Sequence, residues 1–130
     1  MHTEEPANVV IVVGAKGPEP DMEEEMEARG VKVRWAQTIK AAASLLSSGL
    51  DKTVVITELA LKDGNWKDLV ERVRYLASPM TVVLVSPTST AELWWDALEC
   101  GVDDILLAPL SVSRLCEYLK SSSQSRSDRS

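Results

Sequence analysis

Few side chains in this sequence have the residue types and the spacing that catalysis or metal binding requires. The two cysteines, Cys100 and Cys116, have neither a CxxC spacing nor histidines near them, and the single histidine is His2. A structural zinc site needs four thiolate or imidazole ligands, and a cysteine nucleophile needs a base beside it. We therefore expect neither a zinc centre nor a Cys–His enzyme, and we interpret both cysteines as small residues on core-facing helix stripes.

Any other functional side chains must be positioned by the strands and helices of the fold. Five apolar segments predict β-strands. They are Val9–Val13, Val31–Trp35, Thr53–Thr57, Thr81–Val85 and Ile105–Leu107. Each is followed by a segment with capping residues and apolar residues at helical spacing, as expected of alternating βα units. This alternation predicts an α/β fold: a doubly wound, five-stranded parallel sheet with helices on both faces and strand order 2-1-3-4-5.

Ligands of such sheets bind beyond the carboxyl ends of the strands, where the strand order reverses. The residues to consider are therefore those that follow the strands: 14–17, 58–65, 86–89 and 108–109. The first of these segments, Gly14-Ala15-Lys16-Gly17, is neither a GxGxxG fingerprint nor a P-loop, so it does not predict nucleotide binding. No nucleophile, base and oxyanion donor come together, and we expect no enzymatic activity.

Length and charge limit the partners. The chain has 130 residues, enough for one domain, and 20 acidic against 14 basic residues give a formal net charge of −6. A basic surface is what nucleic-acid phosphates require, so we expect no nucleic-acid binding. No apolar run approaches the roughly 20 residues of a membrane span. The acidic N-terminus MHTEEPAN is unlike a signal peptide, and free cysteines suit a reducing compartment, so we expect a cytoplasmic location.

The composition also divides the chain. We expect a disordered N-terminus over residues 1–7, a folded domain over 8–120, and a disordered tail or linker over 121–130. The sequence of this tail, SSSQSRSDRS, contains no apolar residue.

Two stretches of the sequence resemble the receiver domains of bacterial response regulators. VVITELALKDG, Val54 to Gly64, is similar to that family's third strand and the loop after it. ALECGVDDILLAP, Ala97 to Pro109, resembles the run from helix four through strand five to a Lys-Pro pair. The resemblance covers about Asn8 to Lys120 and implies the flavodoxin-like receiver fold.

In that family a histidine kinase transfers a phosphoryl group to an aspartate after strand three. The resemblance implies that Mg²⁺ is held by this aspartate and an acidic pair, and that a hydroxyl and a lysine contact the phosphoryl oxygens. The positions of this sequence that match the pocket are Gly14, Ala15, Glu58, Ser86, Ala108 and Pro109.

Most of those positions lack the chemistry of the family. Gly14 and Ala15 replace the acidic pair, and Glu58 replaces the phosphoacceptor aspartate. Ala108 replaces the lysine, so that Ser86 alone keeps the expected function. Since Mg²⁺ binds through carboxylates, water and phosphate oxygens, we expect Mg²⁺ binding, and any other cofactor, to be absent.

Glu58 then has two interpretations. Its carboxylate could mimic a phosphoryl group near Ser86 and hold an active-like state, or it could be a relic at a solvated strand end. We favour the relic, because Ala108 and Ile105, at the family's lysine and aromatic switch positions, have lost the groups that would sense the charge.

A surface is the remaining candidate for function. Trp94 and Trp95 are adjacent on the fourth predicted helix, and consecutive helical side chains diverge by about 100°, so both cannot be core. The candidate interface residues are Trp94, Trp95, Leu98, Arg114 and Tyr118. In the receiver family, the helix 4–strand 5–helix 5 face commonly binds a second copy or a partner, such as an output domain or a histidine kinase.

The sequence thus predicts a pseudo-receiver in two-component or phosphorelay signalling. It would act without phosphorylation, as a protein-interaction or dimerisation module. Two alternatives stay open: a rebuilt pocket that still responds to a phosphoryl group, and a small-molecule sensor that uses the space left by Gly14, Ala15 and Ala108.

Overall fold

A five-stranded parallel sheet forms the centre of the protein. The computed structural model describes residues 9–14, 20–47, 53–75, 80–108, 111 and 113–118. Its strands are β1 (Val9–Val13), β2 (Lys32–Ala36), β3 (Thr53–Thr57), β4 (Ala60–Leu61), β5 (Gly64–Asn65), β6 (Met80–Ser86) and β7 (Asp104–Leu107). Its helices are α1 (Pro20–Ala28), α2 (Ile39–Leu46), α3 (Trp66–Val73) and α4 (Ala91–Cys100), followed by a helical segment over 113–118.

The strand order of the large sheet is β2-β1-β3-β6-β7. Since β6 and β7 are the fourth and fifth strands predicted from the sequence, the predicted order 2-1-3-4-5 is confirmed. The order reverses at β1, which has β2 on one side and β3 on the other. The residues that follow β1 and β3 therefore meet at the switch point of the sheet.

Two hydrophobic clusters cover the two faces of the sheet. Alternate strand residues point to opposite faces, so Ile11 belongs to the first cluster and Val10 to the second. Residues of α2, α3 and α4 complete the first cluster, which includes the buried Trp66. The second contains Met26 of α1 and Leu115 of the helical segment 113–118. Helices thus lie on both faces, as predicted.

The predicted loop between Glu58 and Asn65 is instead a small antiparallel hairpin. Leu61 pairs with Gly64, so the turn lies at Lys62-Asp63. Strands of two residues have no detectable periodicity, and the tertiary contact of Asp63 stabilises the hairpin instead.

The hairpin caps a helix that is distant in sequence. The Asp63 carboxylate accepts hydrogen bonds from the backbone N–H of Ile39 at 2.8 Å and of Lys40 at 3.3 Å, which are the first residues of α2. These bonds, the Ile39 bond above all, lower the pKa of Asp63 below its usual value. Thr38 caps the same helix by accepting a bond from Ala41.

Capping side chains and a glycine mark the ends of α3 and α4. Thr90 is the N-cap of α4 and accepts a bond from Leu93, while Gly101 ends the helix with a positive φ of 92°. Asn65 and Asp68 form a capping box at the start of α3. Among the helices described, none combines the length and the apolar character that crossing a membrane would need.

Candidate functional site

The carboxyl ends of β1 and β3 place Gly14 and Glu58 next to each other. The Glu58 N–H donates to the Val13 carbonyl at 3.1 Å, and the Gly14 N–H donates to the Ala36 carbonyl at 3.0 Å. These bonds continue the pairing of β1 with both neighbouring strands by one residue. The hydrogen bonding of the sheet therefore extends through Gly14 and Glu58.

The Glu58 carboxylate lies directly against Gly14. A β-carbon built on Gly14 would lie 2.7 Å from Glu58 Cδ, 2.8 Å from Oε2 and 3.0 Å from Oε1. Gly14 does not have a positive φ, so its backbone would accept other residues and only space restricts it. An acidic side chain at position 14 and the present position of the Glu58 carboxylate consequently exclude each other.

Ser86 is fully buried at the end of β6, and its hydroxyl is engaged within its own loop. It donates to the Thr88 carbonyl at 2.6 Å and accepts from the Thr88 N–H at 3.2 Å. Among the described residues it forms no hydrogen bond with the carboxylate of Glu58. The one pocket residue with a suitable hydroxyl therefore does not contact the one with a carboxylate.

Ala108 follows β7 and is exposed; its N–H donates to the Ser86 carbonyl at 2.8 Å. A methyl group there supplies no positive charge. Ala15 and Pro109, the other predicted pocket residues, lie outside the described residues, as does Lys16.

The donor set does not fit the magnesium site that the sequence resemblance implies. Gly14 has no side-chain oxygen, and Glu58 fills the space where one would stand. Within the described ranges, no three His, Cys, Asp or Glu side chains come together to hold a metal ion. A cavity of about 230 Å³ lies at the opposite end of the sheet, near the start of β6, and its lining includes Arg74, Met80 and Asp103.

The cysteines lie where the helix stripes predict. Cys100 packs partly buried against the first cluster. The Cys116 thiol packs against the second cluster, with its sulfur 3.8 Å from the Met26 sulfur. Both thiols are free.

Helix α4 exposes two tryptophans and a leucine on one face. The exposed fraction is 38% for Trp94, 67% for Trp95 and 60% for Leu98, whereas Ala97 on the inner face is 1% exposed. Positions 94, 95 and 98 are neighbours at helical spacing of three and four residues. The Trp94 indole N–H donates to the Ser89 hydroxyl at 3.0 Å, which holds that ring along the first turn of the helix.

This face is turned away from α3 and towards the free edge of the sheet. Asp96 pairs with Lys67 of α3 at 3.5 Å, so the flank of α4 that carries Asp96 is the one facing α3. Trp94 and Leu98 lie on the opposite flank. That flank is directed to β7, the last strand of the described sheet.

Leu107 of β7 extends the same surface. It lies two residues after Ile105, which packs in the first cluster beside α4, and it is 44% exposed. Sequence reasoning did not single out Leu107: the predicted order 2-1-3-4-5 places this strand at an edge, but which of its residues α4 leaves uncovered depends on the packing. Trp94, Trp95, Leu98 and Leu107 are hereafter called the α4 face.

The other two candidate interface residues lie in the opposite layer. Tyr118 is partly buried against the second cluster, and Arg114 is exposed on the same helical segment. They are thus separated from the α4 face by the thickness of the sheet, and of the described elements the edge strand β7 lies between the two surfaces.

Comparison with known proteins supports the fold through structures alone. No protein-family model matches the sequence, and no curated protein matches it significantly. The receiver domain of HemR from Leptospira biflexa is 22% identical, with a TM-score of 0.70 over 87% of this chain and 91% of that one. A CheY-like receiver domain protein from Methanospirillum hungatei is 16% identical, with a TM-score of 0.77 over 95% of this chain and 98% of that one.

A two-component response regulator from Clostridium difficile is also similar, at 20% identity and a TM-score of 0.73, covering 88% of this chain and 93% of that one. At such identities the likeness concerns the backbone and not the pocket. The chain therefore has the fold of response regulator receiver domains, as the sequence resemblance predicted.

Proposed function

We propose that this chain is a pseudo-receiver: a receiver domain of two-component or phosphorelay signalling that works without phosphorylation, through protein contacts. The observation that carries the proposal is the position of the Glu58 carboxylate against Gly14, in the space where the family would place a metal-binding acid. We further propose that the domain binds no Mg²⁺, is not an enzyme and is cytoplasmic.

Electrostatics support the loss of phosphoryl transfer. The transferring group is strongly anionic, and its charge must be compensated by a metal ion and by cationic or N–H donors. Here Gly14 offers no metal ligand and Ala108 offers no ammonium group. Loss of a single preorganised donor typically costs about 3 kcal/mol of transition-state stabilisation, and this pocket lacks at least two such contacts.

The same geometry favours the relic interpretation of Glu58 over the phosphoryl mimic. A mimic would act through the hydroxyl of Ser86, but that hydroxyl is bonded to the Thr88 backbone. Ile105, at the position of the aromatic switch residue, is a packed core residue with 8% exposure. Among the described residues, neither Ser86 nor Ile105 offers a group through which the charge of Glu58 could change the α4 face.

The α4 face supports the proposal that the domain acts through contacts. Exposed tryptophans are enriched at the energetic centres of protein interfaces, and two of them stand together here beside Leu98. The candidate occupants are a second copy of the chain or another protein, including an output domain or a histidine kinase. A receiver that cannot switch would present this one surface permanently.

Incubation with a phosphoryl donor or a phosphoryl analogue tests the proposal that the pocket around Glu58 accepts and binds no phosphoryl group. The chain is incubated with acetyl phosphate, or with beryllofluoride, in millimolar Mg²⁺, and the tryptophan emission and the amide NMR shifts around Glu58 are recorded. We expect no change beyond that caused by the salt alone. Saturable shifts at Glu58 and Ser86 that require Mg²⁺ would instead establish a rebuilt, responsive pocket and refute the proposal.

A further inference from the structure

The charge around the α4 face is of one sign. Every charged residue of α4 is acidic, namely Glu92, Asp96 and Glu99. Between Arg74 and Arg114 the sequence contains no lysine and no arginine. The apolar side chains are therefore bordered by carboxylates that no cation of the same segment neutralises.

The ion pairs among the described residues do not involve Glu92 or Glu99. Lys67 pairs with Asp96 on the flank that faces α3, away from the α4 face. Glu92 and Glu99 are exposed, and neither forms an ion pair with another described residue. They lie one helical turn before and one after Trp95, on the side of that residue nearer Asp96, so they border the α4 face along one edge.

This charge pattern opposes a dimer built on α4 alone. A two-fold interface brings the same patch of both copies together. Each α4 helix would bring three carboxylates and no basic side chain of its own to such an interface, which weakens association. Two basic side chains contact α4: Lys67 pairs with Asp96 on the flank that faces α3, and Arg74 donates to the Cys100 carbonyl at 3.3 Å at the end of the helix. Among the described residues, neither forms an ion pair with Glu92 or Glu99.

We propose that the α4 face binds a different protein through a basic amphipathic segment, whose apolar side chains cover Trp94, Trp95, Leu98 and Leu107 and whose lysines or arginines pair with Glu92 and Glu99. This inference rests on the proposed function and specifies its partner. Membranes and nucleic acids are poor occupants, since both present the same negative charge as the rim.

Two synthetic helical peptides without tryptophan test the inference. They share the same apolar residues, but one has lysine and arginine at the flanking polar positions and the other has glutamate. Binding to the full chain is measured by tryptophan emission and by calorimetry in about 50–150 mM salt. We expect the basic peptide to bind at least tenfold more tightly, with the advantage falling as salt rises.

Charge-matched variants locate the effect. We expect Glu92→Gln/Glu99→Gln to weaken the basic peptide about fivefold, from two exposed ion pairs of ordinary strength. The control Glu24→Gln/Glu27→Gln removes the same charge from exposed positions of α1, on the other face of the sheet, and should change affinity less than twofold. Equal binding of both peptides, or equal effects of both variants, would overturn the inference.

Sedimentation distinguishes a failure of this inference from a failure of the proposed function. We expect the chain to stay monomeric at low and high salt. A dimer that Trp95→Asp dissociates would overturn the basic-partner inference and leave the α4 face as an interface between copies. A monomer that binds neither peptide would refute the inference. The acetyl phosphate and beryllofluoride experiment tests independently whether the pocket around Glu58 responds to a phosphoryl group.

Discussion

Substitution of Gly14 by alanine tests the contact between the Glu58 carboxylate and Gly14, on which the proposed loss of phosphorylation depends. The new β-carbon would lie 2.7 Å from Glu58 Cδ, well inside the ordinary carbon–carbon contact of about 3.5–4.0 Å. Because the obstructing atoms are the far end of a half-buried side chain, we expect Glu58 to rotate rather than the backbone to move. A strained side-chain torsion costs about 1 kcal/mol, which we take as the loss of unfolding free energy.

The sign of the effect should reverse when Glu58 is shortened. In a Glu58→Ala background the added methyl group meets no carboxylate, and Gly14 already has a φ that alanine adopts. Alanine then stabilises by about 0.4–1 kcal/mol, because it restricts the unfolded chain. The coupling energy between the two positions is therefore about 1.5–2 kcal/mol, within the range of residues in direct contact.

Urea unfolding of the four proteins, followed by tryptophan emission, measures this coupling. The m-value should be the same throughout, so that midpoints report stability. Gly30→Ala is the control. Gly30 has a φ of 85°, and a β-carbon added there would have no atom within 4 Å. The loss of stability in this variant is therefore backbone strain, which should be equal with and without Glu58. If Gly14→Ala changes stability equally with and without Glu58, to within about 0.5 kcal/mol, the reasoning is refuted.

Three further predictions concern the pocket, the hairpin and the core. Gly14→Asp/Glu58→Asp/Ala108→Lys should gain calorimetrically detectable Mg²⁺ binding that Glu58→Asp alone lacks; absence of any heat from the triple variant would mean that other residues close the site. Asp63→Ala should lower stability at pH 7, and because the pKa of Asp63 is lowered by the Ile39 and Lys40 N–H groups, the difference from the parent should persist at pH 5 and close only below the ordinary aspartate pKa of about 3.9. A difference that closes already between pH 7 and pH 5, in urea titrations at each pH, would contradict that cause. Leu69→Ala, at a fully buried position of α3, should cost about 2–5 kcal/mol by the same assay, and a loss below 1 kcal/mol would show that the first cluster is loosely packed.

The fold could be predicted because its signals are local. The β-branched run Val9–Val13 and the capping residues Thr38 and Thr90 each determine their own segment, and short alternating units leave few ways to build a parallel sheet. The hairpin at Ala60–Asn65 could not be predicted in the same way. Its strands are too short to show a pattern, and its Asp63 caps the first residues of a helix, which lie 23 and 24 residues earlier in the sequence.

The candidate surface was partly predictable for the same reason. Helical spacing alone requires that Trp94 and Trp95 diverge, and the exposure of Trp95 follows from the apolar stripe of Leu93 and Ala97. The exposure of Leu107 depends on β7 being the last strand, as the predicted order 2-1-3-4-5 has it, and on which strand residues α4 covers, which only the packing decides.

The sequence by itself determined which chemical groups are present: a carboxylate at Glu58, a hydroxyl at Ser86, and neither acid nor amine at Gly14 and Ala108. Only the tertiary structure decided how these groups are arranged. The Glu58 carboxylate rests on Gly14, 44 residues earlier in the sequence, and the Ser86 hydroxyl turns to its own loop. Residue types are local properties, but contacts between strand ends arise only when parallel pairing brings distant segments to the same edge of the sheet.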